Sequence, residues 1–539
     1  MLIIKPRLTS DLKVKFLGIT PLLKDRGGVL NPQEVVALSG LATFKGRHIK
    51  ELLKEIKKKG GSLEKTIKGI LLKSSLIGHA SIATTPVLCL TYEGSKFLDS
   101  ALTGIVFSSS MVSSGRRTET TAKDIVFPNK IFLNKSARKI YQEISERIIK
   151  FFNFLLSQGI PKDEASKILQ YGIYGIGIIS LPIESIAGLK REYLAEKEWM
   201  PEEIGILLKK IEKATKKLGV DWIYTTREIA PRNIYPYPNI FKNPAKFNIV
   251  RELREKIKLS EGTKLISIDI LMTPNLKKRL TELEQITKKT FLSFKEIKTN
   301  WPKLLVLRQE ILRDYNEALR FRILSSIPWR VWGEKKRHRT CPQIIESIYY
   351  CIEKTVKKFI QFKNPIEKKQ INGKLIKEIE EVFSIPPSIK KSPEFLTEYL
   401  SVASGAIKGY QNLIKLGIKP REALFLIPRA VKIDILQEYD LYNLLTGYYP
   451  LRLCQTTEEE LRRITLKETI EIKKVLAEKG YGWLNKFIVP KCETIGFCPE
   501  VKNCGYIKKI IKGYDEKFHQ EMQTELKRRF EQNLKNLGK

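Results

Sequence analysis

Arg337, His338 and Arg339 stand together directly after Lys335 and Lys336, and seven residues separate them from Ser347. Guanidinium forks bind phosphates and polarised carbonyls through paired hydrogen bonds, which lysine cannot do. A histidine between two such forks adds a group that reaches a ring or a phosphate. The same basic run also reads as a solvated face or a nucleic-acid patch. A second group is Gly78-His79-Ala80-Ser81, an imidazole and a hydroxyl at a turn, which equally suits a structural histidine. Further on, Ser109 to Arg117 places hydroxyl and backbone donors of a Ser-rich turn beside arginine charge. A third group is Arg452, in Tyr449-Pro450-Leu451-Arg452-Leu453-Cys454 ahead of an acidic helix start at Thr457-Glu458-Glu459-Glu460; a surface arginine before a capped helix is the plainer reading. We find no Ser or Cys nucleophile triad.

Seven cysteines are present, and an odd number without a signal peptide argues against a disulfide framework. Cys492, Cys498 and Cys504 lie at even intervals among turn-forming residues. With Cys454 they offer a four-thiolate zinc site; free thiols are the alternative.

The Arg-His-Arg triplet followed after seven residues by Ser resembles the signature of flavin-dependent thymidylate synthases. The resemblance implies that Arg337, His338 and Arg339 hold FAD and that Ser347 lies beside dUMP. Glu334 stands where the family often has a nucleotide-binding Gln. Gly78-His79-Ala80-Ser81 is similar to the family's Gly-His-x-Ser/Thr element, which implies flavin contacts for His79 and Ser81. Ser114 takes the place of Ser347 in an earlier copy of the motif, and Arg116 that of an arginine gripping the nucleotide phosphate. Gly104-Ile105-Val106 stands where that copy would carry Arg-His-Arg. Arg452 resembles the arginine that polarises the uracil, so Arg452 and Ser347 are the catalytic candidates. Leu424 occupies the position, four before Pro428, where the family has an arginine. The implied activity is reductive methylation of dUMP to dTMP, with methylenetetrahydrofolate and NADPH as co-substrates. The implied fold is α+β: two tandem helix-rich domains, each with a small, mostly antiparallel sheet packed by helices. Two rivals are a relative that binds flavin and nucleotide without turnover, and a basic nucleic-acid-binding protein.

The elements that must position these groups show a repeat. At an offset of 258 residues, Pro128, Ile131, Tyr141, Leu155, Gly159, Ile160, Glu164 and Ala165 match Pro386, Ile389, Tyr399, Leu413, Gly417, Ile418, Glu422 and Ala423. Each stretch predicts an extended entry, a long helix, a Gly-Ile turn and a second helix start. The resulting organisation is a degenerate copy over 1–219, a connector over 220–264, a second copy with the cysteine tail over 265–510, and a terminal helix over 511–539. The first copy retains Gly-His-x-Ser and Ser-x-Arg, and the second retains Arg-His-Arg, Ser and the uracil arginine. Self-association into a homodimer, a pseudo-tetramer with composite sites, follows as an expectation.

Composition sets outer bounds. A chain of 539 residues with 42% hydrophobic and 29% charged residues is globular and exceeds one ordinary core. The most apolar stretch after the N-terminus, Gly172 to Ile183, is too short for a membrane span, so a soluble, cytoplasmic protein with no membrane partner is expected. The net charge of +38 favours anionic ligands, but the basic residues are spread along the chain, which weakens a dedicated nucleic-acid role.

Overall fold

The computed structural model describes residues 6–25, 28–113, 119–230, 238–259 and 262–537. In chain order, the elements that frame the candidate residues are strands β1 (Lys13–Thr20) and β2 (Val87–Ser95), helix α1 (Lys96–Leu102), β3 (Ser109–Val112), α2 (Lys135–Ser157), β4 (Tyr174–Pro182) and α3 (Glu202–Leu218). There follow β5 (Thr263–Ile270), α4 (Pro274–Thr290), α5 (Phe294–Tyr315), β6 (Leu319–Pro328), α6 (Trp329–Lys335), β7 (Gln343–Ile345), α7 (Ile348–Gln361), α8 (Pro393–Lys415) and β8 (Lys432–Asp440). The last are α9 (Tyr448–Arg452), α10 (Glu459–Glu478), α11 (Lys491–Ile495) and α12 (Glu516–Leu537). Helices joined by small antiparallel sheets make this an α+β fold.

The chain divides into two compact units that do not follow the linear boundaries expected from the repeat. One holds the described residues up to Asn248 with Pro328–Arg337 and Ile345–Ile433; the other holds Ile249–Ile327, His338–Ile344 and the chain from Asp434 onward. The physical reason lies in the long helices. In the first unit α2 and α8 pack together: Phe154 meets Phe395 edge to face at 5.9 Å, and Arg147 Nη2 donates to Glu398 at 3.0 Å and Ser401 Oγ at 2.9 Å. Burial of matching apolar faces draws 345–433 into the N-terminal unit regardless of sequence distance. The stretch expected as a connector carries two helices, Asp221–Ile229 and Ile249–Lys256.

Within that unit, the repeat positions carry matching local structure. Asn134 caps α2 by accepting from Ala137 N, and Ser392, 258 residues on, caps α8 by accepting from Phe395 N. The turns after these helices use Gly159 and Gly417, both at left-handed φ, +75° and +80°. Tyr141 donates to Val126 O at 2.8 Å, and Tyr399 donates to Ser384 O at 3.0 Å. Gln170 pairs with Pro428, its own counterpart, in an isolated antiparallel bridge. Gly172 permits this approach: a Cβ there would lie 2.5 Å from Phe425 O, a backbone atom that cannot give way.

The two sheets have the same strand order, β1-β2-β4-β3 in the first unit and β5-β6-β8-β7 essentially in the second. Each carries a bulge at the same place. Leu17 is the extra residue between the pairs Phe16–Leu90 and Gly18–Cys89, and Ile266 the extra one between Leu265–Ile323 and Ser267–Arg322. In β2, Leu88, Leu90 and Tyr92 alternate inward, as a half-covered strand requires, and β4 leaves Ile176 and Ile178 outward. In the second unit, α4, α5 and α10 cover β6 with Leu280, Leu304, Ile311 and Ile472 against Phe321 and Ile323. Among the described residues, no helix is long and apolar enough to cross a membrane.

Candidate functional site

The first unit contains a cavity of about 100 Å³ whose wall is rich in cations. It is built from α1 and α6 with their flanking turns. Lys96, Asp99, Ser100 and Thr103 come from the first; Arg330, Gly333, Glu334, Lys336 and Arg337 come from the second. Tyr171, Arg429, Val112 and Ser113 complete it. Spacings of four and three put Arg330, Glu334 and Arg337 on one face of α6 and its extension.

Lys96, Arg330, Lys336 and Arg429 have defined partners. The start of α1 is held by Glu203 of α3, which accepts from Ser95 N at 2.8 Å and from Ser95 Oγ. Burial pushes the Glu203 carboxyl up to about 7 despite those two bonds. Lys96 Nζ donates to Ser113 O at 2.9 Å and Ser113 Oγ at 2.8 Å, with Asp99 at 3.9 Å. Burial lowers Lys96 to about 8, with the Asp99 charge opposing the shift. The same burial raises the Asp99 carboxyl, outweighing the neighbouring lysines and the 2.6 Å hydrogen bond from Tyr92. Lys336 Nζ donates to the carbonyls of Asp99 at 3.0 Å and Ser100 at 2.6 Å, and lies 4.2 Å from the Trp332 ring centre. Its pKa is well below the lysine range because it is buried.

Arg429 is the most informative member. It is 2% exposed, donates from Nε to Gln170 O at 3.1 Å, and faces the Tyr171 ring at 4.9 Å. Its Nη2 is buried without a hydrogen-bond partner, and burial lowers its pKa to about 10. A buried guanidinium N–H without an acceptor is costly and stands ready for an anion. Five basic side chains face two carboxylates on this wall. The space suits a phosphate-sized group rather than a whole dinucleotide.

Of the residues singled out from sequence, Glu334 and Arg337 line this cavity. Glu334 also lies 3.4 Å from Arg330. Ser347 does not line it. It is fully buried at the start of α7, where Oγ donates to Lys242 O at 2.6 Å and its N–H bonds to Glu346 at 2.6 Å. His79, in the turn before the short helix Ser81–Thr84, and Ser81, the first residue of that helix, are both exposed. That turn is anchored by Arg227, which bonds to Ser75 O at 2.8 Å and to both carboxylate oxygens of Glu184. Ser114 and Arg116 lie outside the described residues.

In the second unit, His338 and Arg452 meet. Arg452 Nε donates to His338 Nε2 at 2.8 Å, and the imidazole packs edge-on against Tyr448 at 5.0 Å. An arginine Nε only donates, so His338 Nε2 is the acceptor in this bond. Arg339 is exposed. Cys454, Cys492, Cys498 and Cys504 all line one further cavity in this unit, of about 520 Å³.

Sequence reasoning missed Lys96, Asp99, Tyr171, Arg330 and Arg429. The helical spacing of Arg330 to Glu334 and Arg337 was a usable signal. Arg429 directly follows Pro428, the residue from which the missing arginine at 424 was counted, but nothing local marks it as buried.

Residues 316–477 match the family described as Thy1, thymidylate synthase complementing protein. The flavin-dependent thymidylate synthase of Pyrococcus abyssi is 33% identical over 123 residues, 23% of this chain and 49% of that relative. That of Pyrococcus horikoshii is 34% identical over 124 residues, 23% and 50%. The chain thus spans about half the length of the curated relatives it matches. Among solved structures, a UMP/dUMP methylase PolB from Streptomyces cacaoi bound with 5-Br dUMP aligns at 14% identity and a TM-score of 0.32, over 42% of this chain and all of that one. Thymidylate synthase X from Helicobacter pylori with FAD and dUMP aligns at 15% identity and 0.30, over 40% and 99%.

Proposed function

We propose that this chain, a relative of the flavin-dependent thymidylate synthases over residues 316–477, is itself an FAD-dependent thymidylate synthase. Its reaction would convert dUMP to dTMP by reductive methylation, with methylenetetrahydrofolate as carbon source and NADPH as reductant. The observation that carries the reading is the cation-lined cavity with its buried, unpartnered Arg429 Nη2. Such a wall fits a phosphate of FAD or of dUMP, and Arg337 of the Arg-His-Arg triplet is part of it.

The flavin, when bound, supplies the hydride and carbon-transfer chemistry, so no protein nucleophile is required. The chain's residues bind, orient and polarise. Arg337, His338 and Arg339 would hold FAD, together with His79 and Ser81. Glu334, Ser114, Arg116 and Ser347 would contact the nucleotide. Arg452, oriented through Nε by His338, would polarise the uracil carbonyl and favour loss of the N3 proton. Arg429 would supply cationic charge to this cavity, while Leu424 stands where the resemblance places an arginine.

The matching strand orders, bulges and helix caps support descent of both halves from one duplicated unit. The apolar residues left outward on β3 and β4, Met111, Ile176 and Ile178, support a homodimer formed through that face. A monodisperse monomer that still binds flavin would remove that part of the proposal.

A second reading, binding without turnover, is favoured by Leu424 and by Gly104-Ile105-Val106 in place of a second Arg-His-Arg. Two measurements separate the possibilities. FAD retention is read from the visible spectrum of the purified protein, and catalysis from tritium release by dUMP labelled at C5, dependent on NADPH and folate. A colourless protein that takes up no added FAD overturns the proposal; a yellow one without tritium release establishes the second reading.

A further inference from the structure

We propose that Cys454, Cys492, Cys498 and Cys504 form a four-thiolate site for a thiophilic metal, which staples the loop-rich segment after Phe487 to the end of α9. The four side chains come from two places far apart in sequence. Cys454 follows α9, while Cys492 lies in α11 and Cys498 and Cys504 in the turns beyond it. All four nevertheless line one cavity. The remaining cysteines, Cys89, Cys341 and Cys351, do not.

The segment's own structure calls for a cross-link. Between Phe487 and Glu516, the regular elements are the five-residue α11 and a single 3-10 turn, Ile507–Lys509. Its apolar support is a small satellite core in which Cys492 and Cys498 pack with Ile297, Phe497, Ile507 and Tyr514. A short, turn-rich lobe with so little core is ordinarily held by disulfides or a metal. No disulfide joins these cysteines.

The charge around the thiols suits a thiolate centre. A divalent ion with four thiolates carries two net negative charges, and Arg462, Lys473 and Lys502 line the same cavity. The two glutamates there are already engaged: Glu500 with Lys491, and Glu493 with the Tyr506 hydroxyl at 2.5 Å. Among the described residues, no three potential ligands are already at metal-binding separation. On this proposal the four side chains draw together only as the ion binds, with binding and local ordering coupled. Each S–H proton passes to water as the corresponding sulfur–metal bond forms, and no oxidation is involved. Zinc fits this chemistry directly. An iron–sulfur cluster uses the same four ligands, with sulfide as the added component.

The test uses the full-length chain, purified without chelator and also reconstituted with zinc. Zinc, iron and acid-labile sulfide are measured, and metal release by a mercurial is followed. The expected result is about one zinc per chain, released when the mercurial is added, and loss of at least about nine-tenths of the metal in Cys492→Ser and Cys498→Ser. Cys89→Ser should retain it. Iron with sulfide in place of zinc, lost in the same variants, also supports the four-thiolate site. Absence of bound metal after reconstitution overturns it, as does metal retained in the Cys492→Ser/Cys498→Ser double variant. Should the variants fail to fold, the metal count of the parent chain decides. Flavin content is read separately on the same sample, so failure of the flavin reading is distinguishable from failure of this one.

Discussion

Replacing Arg429 with methionine should separate binding from folding in a direction that is unusual for a buried residue. The guanidinium is 2% exposed, bonds through Nε to Gln170 O, and leaves Nη2 unpartnered. Its pKa falls from 12.5 to about 10 because the charge is desolvated. At about 1.4 kcal/mol per pKa unit, that is a folding penalty on the order of 3 kcal/mol for keeping the charge inside. Arg429→Met removes this penalty and loses one hydrogen bond worth about 1 kcal/mol. The ligand-free variant should therefore be at least as stable as the parent in denaturant melts. Binding should respond in the opposite sense. A charge-assisted hydrogen bond to a phosphate contributes about 1.5–3 kcal/mol, so affinity for FAD or dUMP should weaken by roughly 10- to 150-fold. Titration calorimetry with each ligand reads this, and Arg429→Lys should recover only part because lysine lacks the fork. Two outcomes would refute the reasoning. One is unchanged affinity for both ligands; the other is a ligand-free loss of more than about 3 kcal/mol, which would make the guanidinium structural.

Glu203→Gln should flatten the pH dependence of stability in the acidic range. The folded carboxyl titrates at about 7 against 4.5 in the unfolded chain. The folded state thus holds the extra proton between those values, and stability falls as pH rises from about 4.5 to 7, by on the order of 3 kcal/mol. Urea melts across that window should show the slope in the parent and lose it in the variant. Lys96 loses its charge near pH 8, so phosphate-ligand affinity should fall as pH rises through about 8, and Lys96→Gln should remove that step while Arg429 remains charged. Arg452→Lys removes the Nε donor to His338; kcat should drop about 10- to 100-fold with flavin content retained, and equal kcat in the variant would exclude Arg452 from catalysis.

Much of this protein is determined by local signals that a sequence displays directly. Asn134 and Ser392 mark helix starts, Gly159 and Gly417 mark the turns after them, and alternation at Leu88, Leu90 and Tyr92 marks a half-covered strand. These depend on backbone geometry within a few residues, and so they could be read without coordinates. The Arg337-His338-Arg339 triplet, its spacing to Ser347 and the four tail cysteines were equally legible. Tertiary structure alone decided which charges converge. Lys96, Tyr171, Arg330 and Arg429 reach one wall because packed helices and crossing strands bring them there. Sequence reading assigns an arginine to the surface by default, since burying its charge costs free energy. Tertiary structure also decided that 345–433 folds with the N-terminal segment: α2 and α8 bury complementary apolar faces, and that burial depends on the three-dimensional match of the faces and not on their order along the chain.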